Sequence, residues 1–128
     1  MKILGIGVDL IRNKRIKNLL KNKSFINRTF GKNEIISSKN IKDKTNFYSK
    51  RFAAKESFAK ALGTGFRYSL NFKDIEVLND KIGKPYFLKT KKINDIINKR
   101  FKIKKYNLFL SISDETDYSV AFTILQKE

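Results

Sequence analysis

The stretch Arg51-Phe52-Ala53-Ala54-Lys55-Glu56-Ser57-Phe58-Ala59-Lys60-Ala61-Leu62-Gly63 decides how this chain folds. From about residue 44, Phe47, Ala54, Phe58, Ala61 and Leu62 recur at helical spacing, and Gly63 stands where such a helix would stop. The same stretch carries Glu56, an acid inside an otherwise Ala- and Phe-rich helix, and Lys60 one turn later. Positions 56, 60 and 63 share one helical stripe.

Upstream, residues 3–10 read as a strand. Leu4, Ile6, Val8 and Leu10 occupy one of its faces, and Ile3, Gly5, Gly7 and Asp9 the other. Two glycines beside an acid leave room for something bulky to approach the backbone. Residues 13–21 form a short basic helix with Ile16, Leu19 and Leu20 inward, and a second short helix follows Gly31. Downstream, residues 74–79 and 85–89 read as strands joined through Asp80-Lys81-Ile82-Gly83-Lys84. Residues 90–100 are helical, with Ile93, Ile96 and Ile97 inward. Two alternating runs, 106–113 and 118–125, flank Asp114-Glu115-Thr116-Asp117. Helices and antiparallel hairpins in this order predict an α+β fold, a small antiparallel sheet packed with one long and several short helices. No repeat or linker divides residues 1–128, which read as one domain.

Composition narrows the chemistry. Hydrophobic residues make up 41% of the chain, with 11 Phe and 5 Tyr, enough for a packed core. No apolar run approaches the roughly 18 residues of a membrane span. Met1-Lys2-Ile3-Leu4-Gly5 lacks a signal-peptide pattern, so a cytoplasmic setting is expected. With no Cys and no His, thiol nucleophiles and zinc sites with Cys ligands are excluded. Base chemistry falls to carboxylates, lysines or water, and oxygen-ligated Mg²⁺ is the natural metal. The net charge of +17 calls for an anionic partner. Residues 10–33 concentrate it in Arg12, Lys14, Arg15, Lys17, Lys21, Lys23, Arg28 and Lys32, with no acid among them.

Five segments resemble the holo-acyl-carrier-protein synthase family of 4′-phosphopantetheinyl transferases, in order and spacing over nearly the whole chain. They are Gly5-Ile6-Gly7-Val8-Asp9; Phe30 to Glu34; Arg51 to Glu56 continuing through Lys60-Ala61-Leu62-Gly63-Thr64-Gly65; Asp74-Ile75-Glu76-Val77 with Gly83-Lys84-Pro85; and Ser111-Ile112-Ser113. The resemblance implies Mg²⁺ held by Asp9 and Glu56, with coenzyme A as donor and the serine of an acidic acyl carrier protein as acceptor. It implies a homotrimer whose active sites lie between subunits.

The resemblance also distributes roles, each beside a plainer reading. Asp9 and Glu56 are metal ligands, or a helix cap and a solvated partner of Lys60. Lys60 reaches a phosphate near that metal, because a helix C-terminus repels anions, or it is a surface lysine. Gly63 belongs with the coenzyme A site and is a helix cap in either case. Arg51, with Lys42 or Lys44 nearby, clamps the 3′-phosphate, which suits an Arg fork. Gly83, Lys84 and Pro85 pack against adenine, or simply turn into a strand. Ser113 belongs to the coenzyme A site. Arg12, Arg15 and Lys21 dock the acidic carrier, or form a solvated face. Glu34 orients water or accepts the serine proton, or is a capping residue or surface acid.

One departure stands out. Where the family carries His after Ser-x-Ser, this chain has Asp114, which cannot donate a hydrogen bond to phosphate. Asp114 turns away, holds the metal through water, or sits on a shifted loop. Two further functions compete with the transferase: a small basic nucleic-acid-binding module, supported by an isoelectric point ≈ 10.1, and a catalytically weakened coenzyme A-binding relative.

Overall fold

The computed structural model describes residues 2–128. The long helix α4 runs from Lys44 to Leu62. The side chain of Asp43 accepts from Asn46 N at its start, and Gly63 ends it at φ 79. Its buried residues include the Phe and Ala positions that carried the helical period.

Three antiparallel strands, β1 (Lys2–Arg12), β4 (Tyr106–Asp114) and β5 (Tyr118–Lys127), form a sheet in the order β1-β5-β4. α4 lies on one face of it, and the glycines of β1 explain how closely. A Cβ at Gly5 would sit 1.8 Å from Ala61 O, and one at Gly7 1.9 Å from Ser57 O. Side-chain-free backbone on β1 therefore meets backbone on α4, and the Ser57 and Thr123 hydroxyls, 2.6 Å apart, join the helix to β5 beneath.

From Gly5 to Leu10 the alternation in β1 is as expected. A register shift between Ile3 and Gly5 breaks it at the start of the strand, leaving Ile3 57% exposed and Leu4 packed against the core. The glycine face is the one that packs. Ile6, Val8 and Leu10 are 59%, 53% and 64% exposed on the opposite face. There, register places Val8 beside Phe122 and Phe122 beside Ser111. Among the described residues no helix covers this apolar surface in one protomer.

The remaining helices pack around the free sides of α4. They are α1 (Asn13–Leu19), α2 (Lys23–Thr29), α3 (Lys32–Ser38) and α5 (Lys91–Phe101). The sequence reading did not foresee α2, although Asn22 caps it by accepting from Ser24 N. β2 (Val77–Asn79) and β3 (Pro85–Phe87) form a short hairpin. Its turn is held by Asp80 Oδ1, which accepts from Ile82 N and Lys84 N. The expected strand start at Asp74 is instead a one-turn 3-10 helix, Phe72–Asp74, closed by Asp74 accepting from Asn71 N. The core gathers Phe25, Phe30, Tyr48, Phe52, Phe58, Ile93 and Ile97 about α4. No described helix is long and apolar enough to cross a membrane.

Candidate active site

Asp9 emerges from the glycine face of β1 towards α4. Lys60, near the end of α4, donates from Nζ to Val8 O at 2.9 Å and lies 3.4 Å from Asp9 Oδ1. Glu56 is one turn earlier on the same stripe. Burial raises the pKa of both carboxyls, and the charge of Asp9 raises Glu56 further. Lys60 and Arg15 pull both back down without prevailing. The two distant acids thus converge within electrostatic reach of each other and of two cations.

Two carboxylates that disfavour their own charge are suited to a hard divalent cation. Among the described residues no cluster of three or more potential ligands exists. Such an ion would take one or two carboxylates here and complete its shell from phosphate oxygens and water, the usual pattern for Mg²⁺. The donor set fits. The contact between Lys60 and Asp9 is loose, with side chains 54% and 16% exposed, so Lys60 is free to swing to a phosphate. Beside Glu56 opens a groove of ≈ 1070 Å³, walled by Arg15, Arg28, Phe25, Phe52 and Phe66.

A second pocket, ≈ 900 Å³, is built at the other end of α4 and shares no lining residue with the groove. Arg51, Asn79, Gly83, Pro85, Tyr86 and Asp114 lie on its wall. Arg51 is 5% exposed and burial lowers its pKa to about 10, still cationic at neutral pH. It donates to Asn79 Oδ1 at 2.6 Å and to Phe47 O at 3.3 Å, and its guanidinium lies 3.6 Å from the Phe47 ring centroid. Among the described residues its Nε has no partner and no carboxylate pairs with it. A buried cation on a pocket wall with no carboxylate in direct contact is able to take an anion, although Asp43 and Asp114 line the same pocket.

Other expectations are corrected. Glu34 is fully buried in an ion pair with Lys55 at 2.6 Å, so it cannot meet a serine or orient a catalytic water; its capping alternative is what the structure shows, through Gly31 N. Lys44 is spent on the end of α3, donating to Ser38 O and Ile41 O, and does not reach the Arg51 pocket. Ser113 pairs with Val120 and faces the open side of the sheet, outside both pockets of one protomer. Lys84 is exposed beside Gly83 and Pro85 but does not line the pocket. Gly63 ends α4, with its N bonded to Lys60 O.

The basic helix is divided between two surfaces. Arg15 turns to the groove beside Glu56, whereas Arg12 and Lys21 border a separate groove of ≈ 850 Å³ with Tyr118 and Asp117. Asp114 neither turns away nor joins Asp9. It lines the Arg51 pocket and accepts from Asn46 Nδ2 at 2.8 Å, while Asn46 also donates to Glu115 O at 3.2 Å. Asn46 and Asn79 escaped the sequence reading because an amide in a helix start or beside a turn looks like ordinary capping chemistry.

The paired acids, the lysine one turn on and the separate cationic pocket stand in the order of one known motif set. A family model described as the 4′-phosphopantetheinyl transferase superfamily matches residues 5–123. The chain belongs to that superfamily. Within it, the chain is an enzyme of the holo-[acyl-carrier-protein] synthase type. It is 63% identical over 128 residues, all of both chains, to the holo-[acyl-carrier-protein] synthase of Pelagibacter ubique (strain HTCC1062). The crystal structure of the synthase from Neisseria meningitidis superposes with a TM-score of 0.88 at 36% identity, covering 98% of this chain and 99% of that one. The synthase from Bacillus anthracis, solved in complex with CoA (3′,5′-ADP), gives a TM-score of 0.82 at 35% identity over the whole of both chains. The phosphopantetheinyl transferase fold, α+β with one long helix on a small antiparallel sheet, is therefore the one this chain adopts.

Proposed function

We propose that this chain transfers 4′-phosphopantetheine from coenzyme A to a serine of an apo-acyl-carrier protein in the cytoplasm, with Mg²⁺ held by Asp9 and Glu56. The observation that carries the reading is the convergence of those two carboxyls beside Lys60. In the reaction the serine oxygen bonds to the β-phosphorus of coenzyme A as the pyrophosphate bridge breaks. The serine proton goes to solvent, and 3′,5′-ADP leaves. Mg²⁺ held by Asp9 and Glu56 would supply charge neutralisation on the pyrophosphate. Asp9 and Glu56 fix where that charge is met, and Lys60 adds a donor at the anion-repelling end of α4. The Arg51 pocket receives the nucleotide end, with Gly83, Pro85 and Tyr86 as its wall. Arg15 and Arg28, flanking Phe25 and Phe52, offer an acidic carrier complementary charge beside the groove.

Arg51 and Glu56 line different cavities, so one protomer presents two half-sites. The uncovered face with Ile6, Val8, Leu10 and Phe122 supplies the apolar surface that a second copy would bury. Both observations support an oligomer with sites shared between neighbours, and the family resemblance makes that oligomer a homotrimer. Asp114, fixed by Asn46 in the nucleotide pocket, leaves the Asp9–Glu56–Lys60 group untouched, which favours an active enzyme over a weakened binder. The test is mass spectrometry of an apo-carrier protein incubated with coenzyme A and this chain. A gain of one phosphopantetheine unit that requires Mg²⁺ is expected. No gain with a folded enzyme and a competent carrier overturns the proposal.

A further inference from the structure

We propose that Lys55 and Glu34 are positioning residues that set the walls of both half-sites against α4. Lys55 lies between Arg51 and Glu56 in sequence, yet its side chain enters neither cavity. Both members of the pair are fully buried. The Lys55 ammonium uses all three donors, on Glu34 Oε1, Phe72 O and Ile75 O. Glu34 in turn accepts from Gly31 N through Oε1 and from Val77 N through Oε2. One buried pair thus ties α3 and residues 72–77 to the middle of α4.

The tied residues are those that shape the cavities. Phe72 stacks on Phe66, centroids 3.9 Å apart, and on Phe52 at 5.2 Å, forming the groove wall beside Glu56. Val77 opens the strand that ends at Asn79, the acceptor for the Arg51 guanidinium. Glu76 reinforces the link by accepting from Asn33 N and Nδ2, both at 3.0 Å. It lies where Gly31 has no side chain, since a Cβ there would come within 2.1 Å of Glu76 Oε1. A buried pair is a poor source of net stability compared with neutral residues of similar shape. What it supplies is a fixed spacing, and here that spacing relates the nucleotide pocket to the metal-side groove.

The inference rests on the coenzyme A and Mg²⁺ reading of those cavities, and its test separates the two claims. The double variant Glu34→Gln/Lys55→Met removes both charges at near-constant volume. Coenzyme A affinity is measured by calorimetry, and Mn²⁺ affinity in the presence of coenzyme A by electron paramagnetic resonance. With circular dichroism and oligomeric state unchanged, each affinity is expected to weaken about tenfold, the scale of a lost supporting contact. KM for coenzyme A should rise more than kcat falls. Wild-type binding of both probes with an unaffected double variant overturns the inference alone. If the wild-type chain binds neither probe, the functional reading falls, and the inference with it. Should the double variant not fold, Glu34→Asp, which keeps the charge but retracts the carboxylate, is judged by the same two affinities. Loss of folding in both variants assigns the pair a purely architectural role and overturns the positioning claim.

Discussion

Two carboxyls that resist ionisation mean that the chain without metal carries a local electrostatic penalty at Asp9 and Glu56. Their folded pKa values lie above the unfolded ones, so the folded state holds these protons more tightly. Their contribution to stability is complete below the unfolded values and declines as pH rises through the raised folded values. Glu56→Gln removes one of the charges. In EDTA, the melting temperature of Glu56→Gln should therefore exceed that of wild type by a few degrees, the gap opening as pH climbs from about 4 towards 7. Mg²⁺ should raise the wild-type melting temperature and leave the variant where it was. Differential scanning calorimetry at several pH values checks both, and a gap that narrows with rising pH refutes the assignment. Elsewhere at this scale, the sequence showed that Asp9 and Glu56 were unusual, because an acid among glycines or alanines is conspicuous. It could not show that Glu34 is buried, since its partner Lys55 is distant in sequence and looks like any helical lysine. Lys55→Ala alone strands the Glu34 carboxylate without its counter-charge. Chemical denaturation should then report a loss of about 3–5 kcal/mol, whereas the neutral double variant should lose far less.

Between elements, the governing contact is β1 against α4, where backbone touches backbone. Gly7→Ala puts a methyl group into Ser57 O, an atom fixed within the helix, so relief requires α4 to lift off the sheet. Overpacking against backbone of this kind should cost about 3 kcal/mol, read from the urea midpoint, and should separate Asp9 from Glu56 enough to reduce Mn²⁺ binding. A Gly7→Ala protein of wild-type stability would mean that helix and strand are not in this contact. The same contact explains which parts of the fold were legible. α4, α5, β4 and β5 were readable because their apolar spacing agrees with the surface they bury. β1 was readable as a strand, but its apolar face looks like the core face and is the exposed one. Alternation reveals that two faces differ, not which of them meets the helix. The 72–77 segment misled for another reason: the capping of Asn71 by Asp74 tightens it locally, and a turn held by side chains leaves no periodic trace.

For the whole molecule, a single protomer leaves Ile6, Val8, Leu10 and Phe122 exposed together on one face of the sheet, the kind of contiguous apolar surface that marks an interaction site. Val8→Glu places a charge at the centre of that face without touching the packed one. Light scattering should show the variant as a monomer with an unchanged circular dichroism spectrum, and carrier modification should be lost. A wild-type oligomer in Val8→Glu would place the interface elsewhere. Shared sites make a further demand that only the assembly can meet. If Arg51 serves the nucleotide end of a site whose Glu56 comes from a neighbour, Arg51→Ala and Glu56→Gln are each inactive but damage opposite halves. In mixed assemblies each interface draws its two halves independently. Co-expression at equal levels should then rebuild about one quarter of the sites of a closed cyclic oligomer, and carrier modification should recover to about that fraction. Sites contained within one chain cannot be rebuilt in this way, because every chain in the mixture carries one broken half. Recovery to about a quarter of wild-type activity against none is therefore a measurement of whether α4 serves one site at both ends or two different sites, one at each.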